Sequence, residues 1–142
     1  MFQDNDWIVA EPEILYGQGK KFPLQKETFE IIGVCMEIHR ILGKGFSELV
    51  YKDALEYECK TQLIPYEREK KYEVNYKGII LPHNFFADFV LREEIILEIK
   101  AHQGLADENV AQVLNYLAVS KCSVGLLINF GESSLKFKRY IL

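Results

Sequence analysis

The sequence predicts an α/β domain, a mixed sheet with helices packed on its faces, and three observations carry that expectation. Apolar residues recur at helical spacing in two early segments and one late one. A middle stretch switches to a period of two, and short, strongly apolar runs follow it. The resulting order of helices, three strands, helix, strand, strand suits helices layered on a mixed sheet.

Element by element, Phe29, Ile31, Ile32, Cys35, Ile38, Ile41 and Leu42 predict a helix from about Gln25 to Leu42, stopped by Gly43-Lys44-Gly45. A second helix is expected from about Phe46 to Gln62, with Leu49, Val50, Ala54, Leu55 and Tyr57 on its buried side, and Pro65 closes the helical region. Tyr72, Val74 and Tyr76 then alternate with Lys71, Glu73, Asn75 and Lys77, a strand with one wet face. Gly78 turns the chain, Ile79-Ile80-Leu81 continues, and Pro82-His83-Asn84 reads as a second turn. Two apolar runs, Phe85 to Leu91 and Ile95 to Ala101, flank Arg92-Glu93-Glu94. A helix from about Asp107 to Val119 precedes strands at Ser123 to Phe130 and Leu135 to Ile141.

The bulk properties narrow the classes. The length is that of one domain able to bury its own core. Residues 25–142 are expected to form it, with 1–24 an N-terminal extension carrying Gly17, Gly19, Pro23 and Trp7 but no sustained periodicity. No apolar run approaches the roughly 20 residues of a membrane span, and the first residues lack the basic and apolar regions of a secretory signal. Cys35, Cys59 and Cys122 are odd in number and share no metal-ligand spacing, so a reducing, cytoplasmic setting is expected. Net charge is −4, which counts against strong phosphate binding. The basic clusters are small: Arg68-Glu69-Lys70-Lys71 and Lys136-Phe137-Lys138-Arg139. Nucleic acid would be held weakly or with a partner's help. A homodimer, joining two small patches, would supply such help.

Chemistry concentrates in the two apolar runs. Paired as an antiparallel hairpin about Glu93, they set Asp88 opposite Glu98, Val90 opposite Ile96 and Phe86 opposite Lys100. Alternation then projects Asp88, Glu98 and Lys100 from one face, leaving Phe85, Ala87, Phe89 and Leu91 with Ile95, Leu97, Ile99 and Ala101 on the other. Two facing carboxylates among apolar neighbours repel and lose hydration. A divalent cation with oxygen ligands compensates directly, and Lys100 is placed to orient a water or stabilise charge on a phosphate. The competing reading is a solvated face with a Glu98–Lys100 ion pair, against which Phe86, Val90 and Ile96 argue. The three-residue loop lacks a glycine, and a slip of one residue would separate the pair.

Helical positions add to the pattern. Glu48 lies in the first turn of the second helix, where an acid suits the macrodipole or could supply a further ligand. Gln112 and Tyr116, four apart, share a helix face suited to holding a water, a phosphate or the lysine. His39, near a helix C-terminus, fits a dipole partner better than a ligand.

These residues resemble a known family, the GxxExxY proteins of the PD-(D/E)XK nuclease superfamily. Gly45, Glu48 and Tyr51 match the naming motif; Glu37 to Gly43 resembles its helix end; Ala87-Asp88-Phe89-Val90 and Leu97-Glu98-Ile99-Lys100-Ala101 its acidic hairpin. Ala111 to Leu117 matches a Q-x-x-x-Y helix shared with RecB-like and lambda-exonuclease-like members, and Gly125 to Gly131 the strand after it. Lys44 departs from the pattern, standing where that family usually has Pro. The resemblance implies a restriction-endonuclease-like αβββαβ core and phosphodiester hydrolysis assisted by Mg²⁺ or Mn²⁺, with DNA the expected substrate. By the same resemblance Asp88 and Glu98 are metal ligands, Lys100 the water-orienting group, Glu48 the helix acid and additional ligand, and Gln112 and Tyr116 supporting residues.

A second function is a binding or interaction module that keeps the fold without turnover, favoured by the acidic charge and the lack of a basic groove. Converging carboxylate oxygens would favour the enzyme. A Lys100 salt bridge to either carboxylate, filling the site, would favour the module.

Overall fold

The computed structural model describes residues 8–10 and 23–141. The expectation of a partly ordered arm over residues 1–24 falls mostly outside the described residues. The elements are β1 (Ile8–Ala10), α1 (Gln25–Leu42), α2 (Glu48–Thr61), β2 (Tyr66–Tyr76), β3 (Ile79–Leu91), β4 (Ile95–Lys100), α3 (Asp107–Val119), β5 (Val124–Asn129) and β6 (Lys136–Ile141). One mixed sheet runs in the order β1-β6-β5-β4-β3-β2. β4 and β5 are parallel, joined by α3 as a crossover, and β2, β3 and β4 form an antiparallel meander. No helix among the described residues is long and apolar enough to cross a membrane.

Two apolar layers enclose the sheet. On one face Ile31, Ile32, Cys35 and Ile38 of α1 and Tyr51, Leu55 and Cys59 of α2 pack against Phe89, Leu91, Ile95, Leu97 and Ile99. On the other, Val113, Tyr116 and Leu117 of α3 cover Ala87, Val90, Ile96 and Leu127. α1 and α3 occupy the spans that periodicity predicts, because each has a clear apolar stripe facing the sheet.

The buried face of α2 differs from expectation. Leu49 and Tyr57 are largely exposed, whereas Tyr51, Lys52, Leu55 and Cys59 are buried. The stripe is therefore set by contacts with α1 and β4 and includes a lysine, which an apolar count rejects. Pro82-His83-Asn84 is likewise no turn, because β3 runs through it. Pairing passes from Glu73↔Asn84 to Asn75↔Ile80, leaving Val74 opposite Leu81, Pro82 and His83. Pro82 thus sits in a bulge, where the ladder needs no N–H from it.

The hairpin register about Glu93 is the one expected, with Val90↔Ile96 and Leu91↔Ile95. It holds without glycine because Arg92 and Glu93 adopt φ of 52° and 60° and neighbours fix the loop. The Arg92 amide donates to the Pro65 carbonyl at 2.8 Å, and the Glu94 carbonyl accepts from Ser123 and Val124.

Candidate active site at the parting of β3 and β4

The β3–β4 ladder ends at Phe89↔Leu97, so the expected pairing of Phe86 with Lys100 does not form. Beyond it the two carboxylates replace the backbone bonds. The Asp88 amide donates to Glu98 Oε1 at 3.0 Å, and the Ile99 amide donates to Asp88 Oδ2 at 2.8 Å. Each acid is held by the other's strand, which spreads the strands and fixes the carboxylates face to face. The extended backbone keeps its donors satisfied although the ladder has opened.

A second irregularity lies beside the first. β2–β3 pairing skips from Arg68↔Phe89 to Lys70↔Ala87, leaving Glu69 opposite Asp88, with Glu69 at φ 52°. The phase of the pleat changes there. Phe89 and Leu91 pack toward α1 and α2, whereas Phe85 and Ala87 pack toward α3. This corrects the expectation that all four share one face, and it gives Asp88 neighbours from both layers.

Lys52 of α2 reaches the site from one side. Its Nζ lies 2.7 Å from Asp88 Oδ1 and 3.1 Å from Glu69 Oε1. Burial acts to lower the Lys52 pKa, but Asp88 and Glu69 together outweigh it and hold it above the usual lysine value. Tyr116 of α3 comes from the other side, its hydroxyl accepting from Gln112 Nε2 at 2.9 Å. Burial and then the charge of Glu98 push the Tyr116 hydroxyl up to about 12. Glu98 is 1% exposed. Burial first and the Asp88 carboxylate second push its carboxyl up to about 9. The Glu98 carboxyl therefore holds its proton at neutral pH, as burial beside another carboxylate dictates.

Lys100, two residues beyond Glu98 on the same face of β4, is half-buried. Its side chain makes no hydrogen bond or ion pair with the described residues, and its charge favours the ionised form of Glu98. Glu48 is half-buried in the first turn of α2, one turn before Lys52 and so on the same helix face. The structure thus brings Asp88, Glu98, Lys100 and Tyr116 with Gln112 to one locality, and puts Glu48 on the flanking helix without a contact to either acid.

The remaining motif residues set geometry. The Tyr51 hydroxyl donates to the Gly43 carbonyl at 2.6 Å and accepts from the Phe46 amide at 3.3 Å. Its ring stacks on Phe130 with centroids 4.4 Å apart. Gly43 and Gly45, at φ of 69° and 112°, supply the left-handed turn that lets α2 start where Lys52 meets Asp88. His39 hydrogen-bonds the Glu132 carbonyl at 2.9 Å, tying α1 to the β5–β6 turn rather than to the site. The cationic residues Arg68, Lys70, Lys71 and Arg139 are engaged internally. Arg68 pairs with Asp53 and Glu56, Lys70 with Glu67, and Lys71 with Glu73. Arg139 is buried, donating to the Pro23 carbonyl.

Sequence reasoning missed Lys52 and Glu69. Lys52 did leave a signal, since it follows Tyr51 directly and falls on the stripe of Leu55 and Cys59. Glu69 left none, because only the β2–β3 register sets it opposite Asp88.

The donor set suits a hard cation. Two buried carboxyl groups, Asp88 and Glu98, offer oxygen ligands, and water and phosphate can complete the shell. Among the described residues no three His, Cys, Asp or Glu side chains form a ready-made metal cluster.

A family profile described as the PD-(D/E)XK nuclease superfamily matches residues 25–140, and the chain belongs to that superfamily. Among solved structures, the chain titled "Crystal structure of SSO0001" superposes with a TM-score of 0.53 at 21% identity. The match covers 83% of this chain and 59% of that one. At this identity the likeness concerns the fold. No curated protein matches.

Proposed function

We propose that this protein is a phosphodiester hydrolase dependent on Mg²⁺ or Mn²⁺, a nuclease whose substrate is nucleic acid, DNA in the first instance. One observation carries the reading: Asp88 and Glu98 converge at the point where β3 and β4 separate, each anchored by the other's strand. An inert sheet has no use for two carboxyl groups set side by side in its interior, one of them 1% exposed. Asp88 and Glu98 would hold the cation, with Glu48 entering from α2 as a further ligand. The bound cation would supply Lewis-acid polarisation of the phosphate and a more acidic water. Lys100 stands where it can orient the attacking water and offset charge building on the phosphate. Tyr116, its hydroxyl oriented by Gln112, can donate to a phosphate oxygen. The acidic net charge and the internal pairing of Arg68, Lys70 and Lys71 imply weak substrate binding that depends on salt or on a partner.

The Lys52–Asp88 contact favours the alternative, a silent nuclease-fold binding module, because a lysine already neutralises one ligand. Calorimetry of Mn²⁺ and Mg²⁺ against the wild type, Asp88→Ala and Glu98→Ala separates the two. The enzyme requires binding by the wild type that both folded variants lose, and cleavage of an oligonucleotide that Lys100→Met abolishes while still binding metal. Absence of metal binding, with and without oligonucleotide, would leave the module.

A further inference from the structure

Lys52 bridges Asp88 Oδ1 at 2.7 Å and Glu69 Oε1 at 3.1 Å, and it is one of the few buried charged residues among the described residues. It approaches on α2, a helix anchored by Tyr51 to the Gly43-Lys44-Gly45 turn and by Leu55 and Cys59 to the core. The ammonium is therefore delivered to Asp88 by a fixed element. Asp88 Oδ2 is bound by the Ile99 amide, so Oδ1, the oxygen Lys52 holds, is the one facing away from β4. Glu69 differs from Asp88 in being exposed, its side chain about half accessible, and in having no contact to Glu98.

We propose that Lys52 is a tethered internal cation that competes with the divalent metal for Asp88, and that Glu69 is the carboxylate to which it withdraws when metal binds. The inference rests on the metal-dependent reading above. The chemistry is charge balance. An ammonium within 3 Å of a ligand oxygen repels a divalent ion entering there, and the repulsion is large in a site shielded from water. A lysine with a second carboxylate already in hand can leave Asp88 without becoming an unpaired buried charge, which would be costly. The flexible four-carbon stem and compact charge of lysine allow that short swing. Lys52 is thus a positioning residue that sets the metal concentration at which the site fills, while keeping Asp88 neutralised until it does.

The test is calorimetric titration of Mn²⁺ into the full chain at fixed pH and ionic strength. The proteins are wild type, Lys52→Met, Lys52→Arg, Glu69→Gln and the double variant Lys52→Met/Glu69→Gln, each checked for folding by circular dichroism. Lys52→Gln replaces Lys52→Met should the latter unfold. Lys52→Met is expected to bind Mn²⁺ on the order of tenfold more tightly, and Lys52→Arg, which keeps the charge, to stay near wild type. Glu69→Gln is expected to weaken binding, and that loss should largely vanish once Lys52 is gone, the non-additivity of residues that act through each other. A wild type without measurable binding whose Lys52→Met variant acquires it also supports the proposal. Mn²⁺ binding by the wild type that is unchanged or weaker in Lys52→Met overturns this inference alone. An equal Glu69→Gln effect in both backgrounds overturns the withdrawal to Glu69. Absence of binding in both wild type and Lys52→Met, with oligonucleotide present, overturns this inference together with the metal-dependent function.

Discussion

Replacing Glu98 by Gln should make the metal-free protein more stable at neutral and alkaline pH. In the folded chain, burial and the nearby Asp88 carboxylate push the Glu98 carboxyl from an ordinary 4.5 up to about 9. The unfolded chain ionises Glu98 at its ordinary value, so between these limits the folded state holds a proton that the unfolded state releases. The native state is favoured fully only below about pH 4.5. It loses about 1.4 kcal/mol for each further pH unit until Glu98 ionises near pH 9. At pH 7 the loss is about 3 kcal/mol. Glutamine does not titrate, keeps an oxygen to accept from the Asp88 amide, and carries N–H donors in place of the Glu98 proton. Urea denaturation in EDTA across pH 4–9 reads the result. The midpoints of the two proteins should lie close together at pH 4.5 and separate in favour of Glu98→Gln as pH rises. A variant equal to or weaker than wild type at pH 8 would refute the reasoning, because it would mean that the carboxyl is not held protonated by its surroundings.

Two further outcomes follow from the packing. A Cβ on Gly131 would lie 2.2 Å from the His102 amide nitrogen and 2.5 Å from its carbonyl oxygen, and Asn129 pins that loop through hydrogen bonds to His102 and Gly104. Gly131→Ala should therefore cost about 3 kcal/mol or more, whereas Gly33→Ala, in open space within α1, should stabilise by about 0.5–1 kcal/mol; thermal denaturation of the two variants side by side checks the contrast. Tyr51→Phe keeps the ring on Phe130 but removes the hydroxyl that holds the Gly43 carbonyl and the Phe46 amide. It should lower stability by about 1–2 kcal/mol, and an unchanged urea midpoint would show that the hydroxyl does not fasten the turn.

Much of the fold was legible because it is written in local periodicity. The stripe in Gln25–Leu42 and that in Asp107–Val119 each fix a helix, and the apolar runs about Arg92-Glu93-Glu94 fix a hairpin whose register sets Asp88 across from Glu98. These patterns need only neighbours in sequence, since burial of one face selects the period. The carboxylate pair and Lys100 were therefore visible as a constellation, and the order of motifs pointed to the superfamily to which the chain belongs.

Long-range contacts decided the rest. An apolar count assigned Leu49 and Tyr57 to the buried side of α2, whereas packing against α1 and β4 selected the face that carries Lys52. Alternation put Phe85, Ala87, Phe89 and Leu91 on one face, and the irregularity at Glu69 and Asp88 divided them between two layers. Pro82 looked like a turn and proved to be a bulge, because a long β2 on the neighbouring strand keeps the chain extended. Lys52 and Glu69 join the site only through a helix docking and a strand register, both non-local. The sequence by itself determined which groups oppose each other across one hairpin, since that depends on a period of two and a short loop. Only the tertiary structure decided which charges from elsewhere neutralise them, because ionic contacts follow where whole elements pack and leave no periodic trace in the chain.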